Sequence, residues 1–94
     1  ADAILAPLTG PMKEDLAFPT AIAVDARGRL FIADQNEGGL VILGADGSFR
    51  GRQSGMGWKE GQLRYPSGLC AGDAGTLFVA DRENNRVQMF EVSE

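Results

Sequence analysis

Residues Tyr65 to Phe90 read YPSGLCAGDAGTLFVADRENNRVQMF, and turn-forming residues divide this stretch into three short strands. Gly68 to Ala71 is small and apolar. Gly72-Asp73-Ala74-Gly75 is a turn, because glycine tolerates a positive φ and aspartate can hydrogen-bond to its own backbone. Thr76 to Ala80 (TLFVA) is rich in β-forming residues. Asp81 to Asn85 is a polar turn, in which asparagine accepts the left-handed conformation better than most residues. Arg86 to Phe90 (RVQMF) alternates polar and apolar, as a half-exposed strand does.

The pattern occurs a second time, 47 positions earlier, at Phe18 to Leu43 (FPTAIAVDARGRLFIADQNEGGLVIL). The two copies align without a gap. Pro19 meets Pro66, Gly28 meets Gly75, Leu30-Phe31 meets Leu77-Phe78, and Ala33-Asp34 meets Ala80-Asp81. Phe18 with Tyr65, Thr20 with Ser67, Ile22 with Leu69, Ile32 with Val79 and Leu40 with Val87 are conservative matches. A gapless repeat of this period, with three or four strands per unit, predicts β-propeller blades.

Several residues carry a family resemblance. Tyr65-Pro66-Ser67-Gly68-Leu69, then Gly75 to Asp81, then Asn84-Asn85-Arg86-Val87 resemble the NHL repeat. The first copy resembles it at Phe18-Pro19, Ile22 to Asp25, Gly28 and Leu30 to Asp34, and departs at Glu37-Gly38-Gly39, where the family usually has Asn-Asn-Arg or close to it. The resemblance implies a propeller, commonly of six blades. Fold alone does not define chemistry.

The remaining segments fit the same frame. Phe49 to Gln53 follows the turn Gly44 to Gly47 and is the expected fourth, outermost strand of the first unit, with Arg50, Arg52 and Gln53 facing solvent at an edge. The 47-residue shift lays Ala1 to Leu8 over the same position, so Ala3 to Ala6 is expected to be a fourth strand whose own unit is not complete at this end of the chain. The 94 residues equal two periods in permuted order. The expected fold is therefore all-β: a β-propeller with two four-stranded antiparallel blades per chain, six-bladed as a ring of three chains. Its divisions are a repeat over residues 18–64, a second over 65–94 and an N-terminal closing strand in 1–10. Residues Ala3, Ile4, Leu5 and Ala6 of one chain would pair with Val87, Met89 and Phe90 of the next. A four-chain, eight-bladed ring is the second choice.

The β-rich runs Leu30 to Ala33 and Leu77 to Ala80 are apolar on both faces and need cover on both sides. The presumed inner strands, Ala21 to Val24 and Gly68 to Ala71, are small, as a crowded axis requires. Thirteen glycines and the lack of any 3.6-residue period argue against helix.

Composition excludes several activities. The chain has 9 Lys and Arg against 13 Asp and Glu, a net charge of −4, which argues against nucleic acid as partner. It has no histidine, which removes His-based acid–base catalysis and His-ligated metals. Its single cysteine, Cys70, cannot form an intrachain disulfide and is expected to be a small buried hydrophobe, because Ala23 holds the matching place. No apolar run approaches a membrane span, and Ala1 to Gly10 lacks the basic and long apolar regions of a signal peptide. The compartment is not specified by these features.

Candidate site residues gather on one face. In an antiparallel meander, alternate loops emerge together. The loops joining fourth to first strands (Gly10 to Ala17, Gly55 to Arg64) and second to third strands (Asp34 to Gly38, Asp81 to Asn85) therefore share a side. That side carries Trp58, Lys59, Arg64, Asp34, Asp81, Arg82, Asn84, Asn85 and Arg86 as the candidate binding face for a protein or small-molecule ligand. Trp58 reads either as a contact residue or as cover for the edge of the core. Asp34 and Asp81 read as turn caps rather than as a ring of calcium ligands. Arg86 reads as the partner of Asp81 in an exposed, weak ion pair. No catalytic residue, cofactor or metal is expected. The leading functional expectation is a non-enzymatic, self-assembling scaffold. The alternatives are a fragment of a propeller lyase or lactonase-like hydrolase, and an RNA-binding module.

Overall fold

The computed structural model describes residues 5, 16, 18–35, 39–53, 56, 57 and 59–93. They form two antiparallel sheets. The first contains β1 (Pro19–Val24), β2 (Leu30–Asp34), β3 (Gly39–Leu43) and β4 (Phe49–Gln53), in that order across the sheet. The second contains β5 (Pro66–Ala71), β6 (Thr76–Asp81) and β7 (Arg86–Glu91). Each sheet is a meander in which sequential strands are neighbours. The all-β expectation therefore holds at the level of two antiparallel sheets, an arrangement consistent with a propeller fragment. The second sheet has three strands among the described residues where four were expected. The segment expected to supply the fourth, Ala3 to Ala6, lies outside the described residues except for Leu5.

The turns follow from their residues. Gly28 and Gly75 occupy equivalent places and both have positive φ, 80° and 76°. At Gly28 a Cβ would stand 3.1 Å from the Cβ of Ala45, and at Gly75 one would stand 3.3 Å from the carbonyl of Val92. Both glycines therefore serve the backbone angle and a close approach. Asp73–Gly75 and Arg82–Asn84 each form one turn of 3-10 helix. The second ends at Asn85, whose φ of 52° and ψ of 46° are the left-handed values that asparagine accepts.

The two sheets pack face to face through equivalent but opposite sides of the repeat. The first contributes Phe31, Ala33 and Leu40, with Ala21, Ala23 and Ile42 at the margin. The second contributes Leu77 and Val79, with Leu69 and Phe90. Leu63, from the loop between the sheets, is buried in the same cluster. The first strands of the two sheets, β1 and β5, lie side by side, bridged by the Thr20 hydroxyl donating to the Pro66 carbonyl at 3.0 Å. On the far side of the first sheet, Ile32, Val41 and Leu43 form a smaller buried cluster with Leu16 packed against it. Leu16 and Leu63 are 47 residues apart, so each sheet has one leucine under the same face.

One expectation fails here. Cys70 is exposed. It pairs with Phe78 on the side of the second sheet that faces away from the first. Its counterpart Ala23 is half-buried because the second sheet covers it. Among the described residues nothing covers Cys70 in the same way. Phe78 and Ala80 on that side are likewise only partly buried, whereas β2 is buried on both faces from Phe31 to Asp34.

Candidate functional site

The loop that precedes β5 and the turn between β6 and β7 are joined into one body. The Asn84 amide donates to the carbonyl of Gly57 at 2.8 Å, and the N–H of Glu83 donates to the carbonyl of Arg64 at 3.1 Å. Gln88, a β7 residue, donates to the Gln62 carbonyl at 2.7 Å and accepts from the Gly61 N–H at 3.0 Å.

Asp81 is the centre of this body. Its side chain is fully buried. One oxygen accepts the N–H of Arg64 at 2.7 Å; the other accepts the Asn84 amide at 2.8 Å and Nε of Arg86 at 2.9 Å. Burial pushes the carboxyl pKa up. The Arg64 N–H, the Asn84 amide and the Arg86 guanidinium outweigh burial, and the group titrates below its ordinary range. Arg86 also donates to the carbonyls of Lys59 at 3.0 Å and Gln62 at 2.8 Å. The pair was expected to be exposed and weak. Its carboxylate is instead buried, because the loop preceding β5 folds over it.

Asp34, the counterpart of Asp81, is also fully buried and accepts the N–H of Phe18 at 3.1 Å. The position matching Arg86 is Gly39, so no arginine arrives from β3. Arg52 on β4 approaches instead, with Nη1 4.0 Å from the carboxylate. Arg52 was expected to face solvent at an edge; it turns over the sheet toward this buried charge.

The structure therefore divides the sequence-predicted site residues. Asp34, Asp81, Asn84 and Arg86 direct polar groups into internal loop contacts. Lys59, Arg64, Arg82 and Asn85 are exposed on the joined loops. Arg82 lies 3.7 Å from its neighbour Glu83, an exposed pair. Trp58 lies outside the described residues. Among the described residues no three His, Cys, Asp or Glu side chains converge as a metal site would require. Asp25, which follows β1, caps its own loop. It accepts the N–H groups of Arg27 at 3.0 Å and Arg29 at 2.8 Å, and pairs with Arg29 Nε at 2.7 Å. Burial raises its pKa, but these donors outweigh burial and the carboxyl titrates below its ordinary value.

Sequence reasoning missed Leu63, Gln62, Gln88 and Arg52. Leu63 had a signal, since Leu16 stands at the matching position. The glutamines had none, because their partners are backbone carbonyls and N–H groups brought close only by the folded loop.

Two adjacent antiparallel meanders, packed through opposite faces of one repeated unit with their first strands together, define an all-β protein of two sheets, an arrangement consistent with a β-propeller fragment. The family described as the NHL repeat matches residues 63–90, so this stretch of the chain is an NHL repeat. It is similar to Protein lin-41 of Caenorhabditis elegans, 35% identical over 73 residues, covering 78% of this chain and 5% of that protein. It is also similar to Protein wech of Drosophila melanogaster, 50% identical over 34 residues, covering 36% of this chain and 4% of that protein. The chain thus spans about a twentieth or less of the length of these relatives. Among the described residues no helix is long and apolar enough to cross a membrane.

Proposed function

We propose that the chain is a non-enzymatic propeller-building module that assembles head to tail into a closed ring and presents its joined loops as a docking scaffold. The observation that carries this reading is the repeat relation between the outer sides of the two sheets, the first exposed at Ile22 and Val24 beside its buried Ile32, Val41 and Leu43, the second exposed at Val87 and Met89. Within the chain, the Phe31–Ala33–Leu40 face of the first sheet packs on the Leu77–Val79 face of the second. The 47-residue shift maps Phe31, Ala33, Leu40 and Ile42 to Phe78, Ala80, Val87 and Met89, which line the outer side of the second sheet. It maps Leu77, Val79 and Leu69 back to Leu30, Ile32 and Ile22, on the outer side of the first. The two outer faces are therefore copies of the two halves of an interface that already exists. Val87 is 65% exposed, Met89 69% and Ile22 61%. Covering one such side chain contributes ~1.5–3 kcal/mol.

A head-to-tail contact closes if its rotation permits, and the six blades common in NHL-type propellers correspond to three chains. The exposed loop residues Lys59, Arg64, Arg82 and Asn85 would then recur three times on one side of the ring, as contact points for a protein or small-molecule ligand.

Two charge substitutions test the polarity of the contact. Met89→Glu spoils the outer face of the second sheet, and Ile22→Glu that of the first. In sedimentation velocity each variant alone should lose the ring. Mixed, they should form a one-to-one pair, since each retains the face the other needs. Failure to pair, or a variant that still forms the parent assembly, would overturn the head-to-tail reading.

A further inference from the structure

The turns that join β1 to β2 and β3 to β4 emerge at the end of the molecule opposite the joined loops, and a cleft of about 570 Å³ opens there. Its walls carry Arg27, Arg29 and Arg50, with Ile42, Gly51 and Val92 beside them. Among the described residues that line it there is no carboxylate. The volume suits a small-molecule site, and in a chain of net charge −4 this cleft is a local reversal of sign.

The turn itself does not need these arginines. The N–H of Asp25 donates to the Arg29 carbonyl at 3.1 Å; one period later, the N–H of Gly72 donates to the Thr76 carbonyl at 2.8 Å. Gly28 and Gly75 take the same positive φ. The backbone thus closes alike in both sheets, although Ala74 and Thr76 stand where the first has Arg27 and Arg29. The cleft also has a defined shape. Arg29 is held from two sides, by the Asp25 carboxylate on Nε and the Ser93 carbonyl on Nη1, both at 2.7 Å. Arg50 lies across Gly44, where a Cβ would stand 2.7 Å from its Nε. Asp46, near Arg50, is engaged by Ser48, whose N–H and hydroxyl donate to it at 3.0 and 2.6 Å. Gly51 pairs with Ile42 across β3 and β4 and so shares its face, and a Cβ there would meet nothing within 4 Å. The missing side chain leaves that wall open.

We infer that this cleft binds a small organic phosphate, with the phosphate group on the guanidiniums of Arg27, Arg29 and Arg50 and the apolar body over Ile42, Gly51 and Val92. The planar guanidinium fork matches phosphate oxygens in pairs. A phosphate monoester carries about −1.5 to −2 charges and three acceptor oxygens at neutral pH, enough for several guanidiniums at once, whereas a carboxylate offers one charge and two oxygens. The half-buried Ile42 and Val92 supply the apolar contact that a bare phosphate ion would leave unused.

NMR titration of the isotope-labelled chain, at a fixed ionic strength of ~0.15 M, tests this with phenyl phosphate, inorganic phosphate and benzoate. Phenyl phosphate should shift the Nε–H signals of Arg29 and Arg50 and the amides of Gly44 and Gly51 to saturation. It should bind more tightly than inorganic phosphate, which lacks the body, and than benzoate, which lacks the second charge. Arg27→Gln with Arg50→Gln should weaken phenyl phosphate roughly 10- to 100-fold. Gly51→Leu fills the open wall without removing a charge, and should weaken phenyl phosphate more than inorganic phosphate. The two changes act by different means, so misfolding of one leaves the other to decide. Unsaturating shifts common to all three probes would show a solvated charged surface and overturn the site. Shifts centred on the Arg64 and Arg82 loops, inorganic phosphate binding as tightly as phenyl phosphate, or parent-like binding in either folded variant would overturn it too. Any of these leaves the head-to-tail reading standing, because the walls of the cleft come from one chain.

Discussion

Replacing Asp81 perturbs the one buried carboxylate that joins β6, β7 and the loop before β5. Asp81→Ala removes acceptors for the Arg64 N–H, the Asn84 amide and the Arg86 guanidinium at 2.7, 2.8 and 2.9 Å. Breaking a buried charge pair by removing one partner costs ~3–5 kcal/mol, a large share of the ~5–15 kcal/mol typical of a domain. Asp81→Asn keeps the shape and loses the charge, and should cost about 1–3 kcal/mol through weakened charge-assisted bonds. The pH dependence has a definite sign. The folded carboxyl has a lowered pKa, so its contribution is fully present above the unfolded value of ~3.9. It is lost as pH falls from there through the folded value. Urea titrations followed by circular dichroism, at pH 7 and at steps below pH 4, measure both effects. The gap between the parent and Asp81→Asn should narrow on acidification. Asp25 and Asp46 also carry lowered pKa values and add to the parent's acid sensitivity, which is why the difference from Asp81→Asn is the informative quantity. If both variants stayed within ~0.5 kcal/mol of the parent at pH 7, or if the gap were the same at both ends of the range, the buried network would not hold these loops together.

Other substitutions probe separate parts of the account. Asn85→Gly should be neutral or slightly stabilising and Asn85→Val destabilising by about 1–2 kcal/mol, because the site is left-handed; thermal melts distinguish them. Gly75→Ala should cost a similar amount, since φ is 76° and the Val92 carbonyl is close, and chemical denaturation would show it. Leu63→Ala should cost ~2–5 kcal/mol by opening a cavity between the sheets, again read by denaturation. The Cys70 thiol should react rapidly with a thiol reagent in dilute single chains and slowly in the ring, where the next sheet covers it. Equal rates at low and high protein concentration would count against that cover.

How much of this was legible in the sequence depends on the range of each interaction. Strands and turns were readable because their causes are local. TLFVA became a strand, Asn85 took the left-handed turn position, and Phe49 to Gln53 was placed with its observed bounds. The 47-residue register was readable because it repeats identities such as Ala33-Asp34 and Ala80-Asp81. Burial was less readable. Cys70 and Ala23 hold equivalent positions but differ in exposure, since only one has a sheet over it. Arg52 and Arg86 lie on different strands, yet each approaches the buried aspartate of its own sheet. No local pattern announces that substitution. The loop network around Asp81 depends on backbone groups of Gly57, Lys59 and Gln62, which carry no side-chain signature.

The mass of the unmodified chain in solution tests the central claim most directly. Native mass spectrometry, with light scattering on the same sample at micromolar concentration, should find three copies of the 10.0 kDa chain, a particle of about 30 kDa. Four copies would keep the head-to-tail contact and replace the six-bladed ring with an eight-bladed one. A mass of one chain at those concentrations would contradict the claim that the chain's two open faces are made for each other.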